Sequence, residues 1–253
     1  MMISTIKNNK YIKGFLTAVF WLAVWQFLSL AIDNEILLPS VFKTAAALFK
    51  MVQQSEFWLD CMSSMLRIVT GFLFGVVLGI VLAVATSFVP VINTLVSPII
   101  KIIRAVPVAS FIILALAWFS TTVLPIFISL LMVMPLVWSA TSDAIQSVDK
   151  KIIEMSELFR FGIADKIFKI YMPFCFSKVA SSSLTALGFA WKSSVAAEVI
   201  CRPVHSLGGS MYTSKLYLEM NECFAITFTI VVLSLVLERV IRTLIRKVGR
   251  YDI

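Results

Sequence analysis

The chain has 253 residues, of which 60% are hydrophobic and 14% charged, with a formal net charge of +8. A mean hydropathy of +0.96 excludes an ordinary soluble domain, where about a quarter of residues are charged. It points instead to several membrane spans of about 20 apolar residues joined by short loops. The positive balance fits a surplus of Lys and Arg on the cytoplasmic side better than nucleic-acid binding, because no basic patch is interleaved with exposed aromatics.

The first span reads from 14 to 32, behind Lys7, Lys10 and Lys13. The basic start and Ser29-x-Ala31 also resemble a cleavable signal, but the run is long and its bulky Trp21 and Trp25 suit a retained anchor. Within the mixed region 33–65, "LLPSVFKTAAALFKMVQQSEFW" reads as a Pro-started amphipathic helix on the membrane surface. The second span covers 68–88. Gly71, Gly75, Gly79, Ala83 and Ser87 recur in it every fourth residue, which lines small side chains along one face for close helix packing.

A third span is expected over about 100–120, with Pro90 and Pro98 bracketing the turn before it and Pro107 kinking it. The fourth covers 124–142, with Pro135 inside. A charged segment, 143–172, follows. The fifth span, 173–197, is rich in Ser, Ala and Thr and contains Lys192. Residues 198–222 read as a polar loop with a turn signal at Gly208-Gly209. His205, the only histidine, suits an exposed loop position better than a metal site. The sixth span, 223–241, continues into a tail whose Arg239, Arg242 and Arg246 recur at helical spacing, suited to lipid headgroups. The fold class is therefore an all-α integral membrane protein with six transmembrane helices in one domain, 1–253.

Sixteen Lys and Arg fall on segments that share a side with the N-terminus, against five (Lys43, Lys50, Arg67, Arg202, Lys215) on the other. The positive-inside rule then puts both termini and segment 143–172 in the cytoplasm, with the chain in the cell membrane. Cys61, Cys175, Cys201 and Cys223 show no metal spacing. They read as small apolar residues near helix ends. A disulfide among Cys61, Cys201 and Cys223 would need all three to face outward.

In the charged segment, Ile152, Met155, Phe159, Ile163, Ile167, Ile170 and Tyr171 form an apolar stripe at helical spacing. Gly162 is expected to break it into two short helices, and Pro173 to open the fifth span. Periodicity alone leaves two readings, a helix resting on headgroups or a docking helix for a cytosolic partner.

The segment resembles the Glu-Ala-Ala-x3-Gly-x9-Ile-x-Leu-Pro pattern of permease subunits of binding-protein-dependent ABC importers. Glu154, Ile170 and Pro173 match it. Met155 and Ser156 replace the two Ala, Arg160 replaces Gly, and Met172 replaces Leu. The blocks "MLRIVTGFLFGVVLGIVLAVATS", "PIIKIIRAVPVASFIILALAWF" and "GFAWKSSVAAEVICRPVHSLGGSMYTSKLYLEMNECFAITFTIVVLSLVLERVIR" are similar to those of aliphatic-sulfonate/taurine/nitrate-type permeases. The resemblance is collinear over about 36–247.

It implies the type I ABC importer permease fold, with the segment acting as a coupling helix in a cleft of a cytosolic ABC ATPase dimer. Glu154 would supply the polar contact. The apolar stripe would fill the groove, with Met155, Ser156, Phe159, Ile163, Ile170 and Pro173 in the coupling segment, and the bend would move to Gly162 or be lost because of Arg160. The chain has no GxxxxGK[ST] motif. ATP and Mg are thus expected in the partner ATPase, and this chain is expected to bind no cofactor and not to be an enzyme. The other implied partners are an extracytoplasmic substrate-binding protein and a second permease copy.

The fifth span is the candidate path, through Ser181, Ser182, Ser183, Thr185, Gly188, Trp191 and Lys192; small-residue packing explains the same composition. A charge within a span usually faces an interior or cavity. Lys192 could attract an anion, pair with Glu198, or snorkel outward. Two other functions remain. A membrane-embedded enzyme needs a reactive cluster, yet spans between 68 and 142 hold no internal acid or His. A scaffold without a solute path would not need the polar fifth span. Similar permeases serve sulfonates, taurine, nitrate, bicarbonate and vitamin precursors, so the solute is expected to be small and anionic or vitamin-like.

Overall fold

The computed structural model describes residues 10–248, and within them all side chains but those of 10–13, 15, 150, 163 and 248. Lys7 and Arg250, which enter the basic-residue count, and the signal-like start lie outside the described residues. So do the side chains of Lys10, Lys13 and Ile163.

All described elements are helices. Helix α1 (Lys10–Ile32) lies at the periphery. It is tied down by Trp25, which donates to the Pro39 carbonyl at 3.1 Å, and by Ser29, which donates to that of Leu38 at 3.0 Å. Helix α2 (Val41–Val52) starts two residues later than a Pro-opened helix would: Pro39 is buried ahead of it, and Ser40 caps it by accepting from the Lys43 amide.

Helix α3 (Ser55–Phe88) has 34 residues, about 51 Å at the usual rise. It begins well before the expected residue 68, because its polar first turns are amphipathic. They bury Phe57 and Cys61 against Leu207 and Ile226.

Helices α4 (Pro90–Ala105) and α5 (Val108–Ala115) replace the expected third span and meet at 103°. The residue before a proline is pushed out of the helical region. Val106 accordingly sits at ψ 133°, and Pro107, at ψ 136°, restarts the chain in a new direction. Pro107 therefore breaks this segment rather than kinking it. Pro98 lies inside α4 instead of in a turn.

Helix α6 (Leu124–Gln146) takes in the start of the charged segment. Helix α7 (Lys150–Leu158) is capped by Asp149, whose carboxylate accepts from the Lys151 amide at 2.9 Å. Helix α8 (Ile163–Lys166) passes through a π turn (Ile167–Tyr171) into α9 (Met172–Cys201). Pro173 thus sits within a continuous run, Ala164–Cys201, and the wider turn just before it accommodates the missing N–H.

The expected loop 198–222 is mostly helix. α9 runs to Cys201, and α10 (Leu207–Leu216) is capped by Ser206, whose Oγ accepts from Gly209 N. Gly208-Gly209 form its first turn. Helix α11 (Met220–Val248) closes the chain.

By length and composition, four helices suit a membrane crossing, or five if the bent pair α4–α5 counts as one. The shorter apolar stretch Leu16–Ile32 of α1 would make the expected six.

The core is a three-helix sandwich of α3, α6 and α9, built on Ile68, Phe72, Val133, Val137, Ala186, Leu187, Ala190 and Trp191. The small-residue stripe sets the α3–α6 contact. A Cβ on Gly71 would lie 2.4 Å from the Ile126 carbonyl oxygen, one on Gly75 2.7 Å from Val133 Cβ, and one on Gly79 2.9 Å from the Met134 oxygen. Ala83 is fully buried. All four cysteines are free and buried, so none of the three candidates faces outward for a disulfide.

The bend in the charged segment falls at Arg160. It takes φ 55°, whereas no described glycine has positive φ. The Phe161 amide donates to Ser156 O at 3.0 Å and the Arg160 amide to Glu157 O at 2.9 Å, the paired bonds of a Schellman helix stop. Arginine thus adopts the left-handed conformation at the position where the family pattern has glycine. Gly162 does not supply the bend.

Two outcomes follow. Gly71→Ala should lower stability by about 1–3 kcal/mol, since backbone cannot yield to the new methyl, while Gly188→Ala, with nothing within 4 Å, should stay within about 0.5 kcal/mol. Thermal melts in detergent compare them, and equal midpoints would contradict the packing account. Arg160→Gly should raise stability by about 1 kcal/mol by removing the left-handed penalty, and a lower melting midpoint for this variant would count against the helix stop.

Candidate functional site

Three groups of side chains stand out: the charged turn, the open face of α9, and a buried polar cluster at the end of α9. In the turn, most charges are committed internally. Lys166 pairs with Glu157 at 3.1 Å and Lys169 with Asp165 at 2.6 Å. The Lys169 ammonium also lies 5.4 Å from the centre of the Phe161 ring. Glu154 is exposed and makes no ion pair among the described residues.

Next to it, Met155, Leu158 and Phe159 are 52%, 85% and 69% exposed, an apolar surface that a soluble face would not carry. Ser156 is buried, its Oγ donating to the Ile153 carbonyl at 2.6 Å. A cavity of about 600 Å³ separates α7 from the start of α9 and brings together Met155, Ser156, Phe159, Ile170 and Pro173. Glu154, Arg160 and Gly162 lie outside its lining.

The single apolar stripe expected from periodicity is divided. The reversal at Arg160 puts Met155 and Phe159 outward, while Ile152, Ile167, Ile170 and Tyr171 are half-buried. Leu158, the most exposed apolar side chain here, was not part of that stripe.

Along α9, Ser177, Ser181, Thr185, Gly188, Lys192 and Ala196 are exposed. They recur three or four residues apart, so they share one face. Phe174, Phe189 and Ile200 are also exposed at this spacing, so the face mixes hydroxyls and a cation with apolar side chains. Thr185 bonds back to the Ser181 carbonyl at 3.4 Å, and Lys192 makes no ion pair among the described residues.

Ser182 lies at the edge, donating to the Leu136 carbonyl at 3.4 Å. Ser183 and Trp191 are not on this face. Ser183 is buried and bonds the Val179 carbonyl at 2.8 Å, and Trp191 packs in the three-helix core. The helical period turns both toward α6, so the geometry separates them from Thr185 and Lys192.

The third group was not expected from the sequence. Glu198 has no exposed surface and Arg67 is 7% exposed. Arg67 Nη1 donates to Glu198 Oε1 at 2.8 Å, so the partner of Glu198 is Arg67 and not Lys192. A six-residue separation turns Lys192 and Glu198 to different faces of one helix.

Ser64 Oγ donates to Glu198 Oε2 at 2.7 Å and accepts from the Leu207 amide at 3.0 Å. The Gly208 amide also donates to Oε2, at 3.3 Å. Arg67 Nη2 reaches the carbonyls of Val204 and His205 at 3.0 and 2.9 Å. Beside them, Asp60 accepts from Ser210 Oγ and lies 3.6 Å from His205 Nδ1. Gly208 makes the cluster possible, because a Cβ there would lie 2.5 Å from Glu198 Cβ. An acid near a span end and a glycine pair ten residues later were the available signals. Read separately, each suggests only a loop.

Comparison with known proteins matches residues 75–250 to the family described as binding-protein-dependent transport system inner membrane component. The chain is 23% identical to a putative aliphatic sulfonates transport permease protein of Bacillus subtilis, over 97% of this chain and 89% of that one. It is also 23% identical to the taurine transport system permease protein of Escherichia coli, over 91% and 86%. Its fold is similar to that of a chain of the MetNI methionine ABC transporter in inward-facing conformations. That match has a TM-score of 0.53 and 16% identity, and covers 76% of this chain and 92% of that chain. The expected all-α importer-permease fold therefore stands, and ATP hydrolysis belongs to a separate subunit. The chain belongs to the inner membrane components of binding-protein-dependent transport systems, as a multi-pass permease subunit of an ABC importer.

Proposed function

We propose that the chain pairs with a second copy of itself and passes a small anionic or vitamin-like solute along the open face of α9. The turn between α7 and α9 docks in a cytosolic ATPase dimer that binds ATP and Mg. The observation that carries the docking role is the exposed apolar trio Met155, Leu158 and Phe159 beside the uncommitted carboxylate of Glu154. Apolar side chains outside the bilayer lower their free energy by burial. A carboxylate next to them gives the partner a charge to read.

The basic-residue asymmetry supports both termini and this turn on the cytoplasmic side. The solute would arrive from an extracytoplasmic binding protein at the α10 side of the fold. Arg239, Arg242 and Arg246 suit contact with lipid headgroups, with Arg242 also bonded to Glu238 at 2.7 Å.

The path reading rests on the line from Ser177 to Ala196. In a bilayer, hydroxyls and a cation on an exposed helix face are costly against lipid and stable against water or a second polar face. Lys192 would then favour anions along the path. Pairing two copies across this face encloses it without further helices, which six spans alone cannot do.

Two measurements test this. Glu154→Arg should release the ATPase during purification or leave its ATP use insensitive to the permease, and an intact, fully coupled complex would refute the docking role. Thr185→Cys, studied with the buried native cysteines in place, should react with a membrane-impermeant thiol reagent. If only lipophilic maleimides reach it, α9 faces lipid and the path reading fails.

A further inference from the structure

We infer that Glu198 is a positioning residue for transport: it fastens the outer helix α10 to the outer end of the α9 rod, so that α10 follows motion begun at the docking turn. The inference rests on the docking reading above. Its physical basis is the continuity of Ala164–Cys201, which places Glu198 about 51 Å from Ala164 along one helix. The π turn is confined to the first residues of that run. Displacement at the turn therefore reaches Glu198 without crossing a loop.

At that end the carboxylate holds α10 by two routes. The Gly208 amide donates to Oε2 directly at 3.3 Å, and the Leu207 amide is reached through Ser64. The glycine seat leaves no gap between α10 and α9, with Glu198 Cβ and Val199 N 2.5 and 2.6 Å from where a Gly208 Cβ would stand. Arg67 neutralises the carboxylate and also holds the carbonyls of Val204 and His205, so the link between α9 and α10 cannot swing independently.

At its far end, α10 and the residues after it present Leu216, Tyr217 and Leu218, which are 61%, 73% and 62% exposed. Energetic coupling can be carried by hydrogen-bond networks and rigid secondary elements. Here it is a hydrogen-bonded lock between two helices at one carboxylate.

The test uses the permease–ATPase complex in nanodiscs, with the four native cysteines replaced by alanine and nitroxide labels at Lys151→Cys or Tyr217→Cys, recorded with and without ATP and vanadate. Both labels should change mobility in the parent. In Glu198→Gln, the label at 151 should still respond while the label at 217 loses its response. The double variant Arg67→Gln/Glu198→Gln leaves no buried charge and should give the same loss in a folded complex, which covers the case in which the single variant fails to fold. A parent-like response at 217 in either folded variant overturns the role of Glu198. A silent label at 151 in the parent overturns the docking reading, and this inference with it.

Discussion

A carboxylate with no exposed surface lies three residues from the end of α9, and much of the fold around α10 follows from keeping that charge satisfied. Burying an unpaired carboxylate costs several kcal/mol. Glu198 therefore requires Arg67 at 2.8 Å, which requires α3 to stay helical well beyond its apolar stretch. Arg67 in turn requires the carbonyls of Val204 and His205, and His205 takes φ 51° in the segment that aims them. Oε2 requires Ser64 and the α10 amide, and hence a glycine where α10 meets α9. A buried ion pair of this kind is a weak source of net stability. Its effect is to penalise every arrangement in which one partner is missing.

The three-helix core is organised by a different constraint. Lipid tails are as apolar as Leu, so helices in a bilayer gain little from hiding apolar side chains from each other and associate through close packing. Gly71, Gly75 and Gly79 bring α3 onto α6 to distances that exclude even a methyl group. Hydrogen bonds then fix the register. Ser129 donates to the Ile68 carbonyl at 3.2 Å and Trp138 Nε1 to Thr86 Oγ1 at 2.9 Å. Against α9 the same role falls to Ser194, which donates to the Pro125 carbonyl at 3.2 Å.

What the sequence made legible follows from which forces are local. Long apolar runs gave the α3, α6, α9 and α11 helices, and the four-residue spacing of small side chains identified the face of α3 that packs. Helix ends were misplaced where polar residues are buried, as at Ser64 and Glu198, because a linear reading assigns polar residues to loops. Pro107 was recognised as disruptive, but the degree of bending depends on what α5 packs against. The Arg67–Glu198 contact joins residues 131 apart, and neither residue has a local signal that names the other. The turn at Arg160 was missed for an energetic reason: the left-handed region costs arginine roughly 1 kcal/mol or more, an amount that a Schellman pair and the packing of Ser156 can offset.

The two ends of the 163–201 run differ in stiffness. At the Glu198 end, several bonds to one buried carboxylate bind α9 to α3 and α10 at once, and moving any one of them exposes a charge. At the other end, a left-handed residue, Arg160, precedes the run, and a four-residue helix and a π turn lead to Pro173, whose absent N–H removes a ladder bond. Irregular helical hydrogen bonding is where helices bend. A force on the turn therefore deforms the stretch from Arg160 to Pro173 first. Whatever passes that stretch reaches Glu198 along one continuous helix, whose far end is bonded to both α3 and α10. The arginine in place of glycine adds to this asymmetry: it keeps the reversal while narrowing the backbone freedom that glycine would bring to the same position.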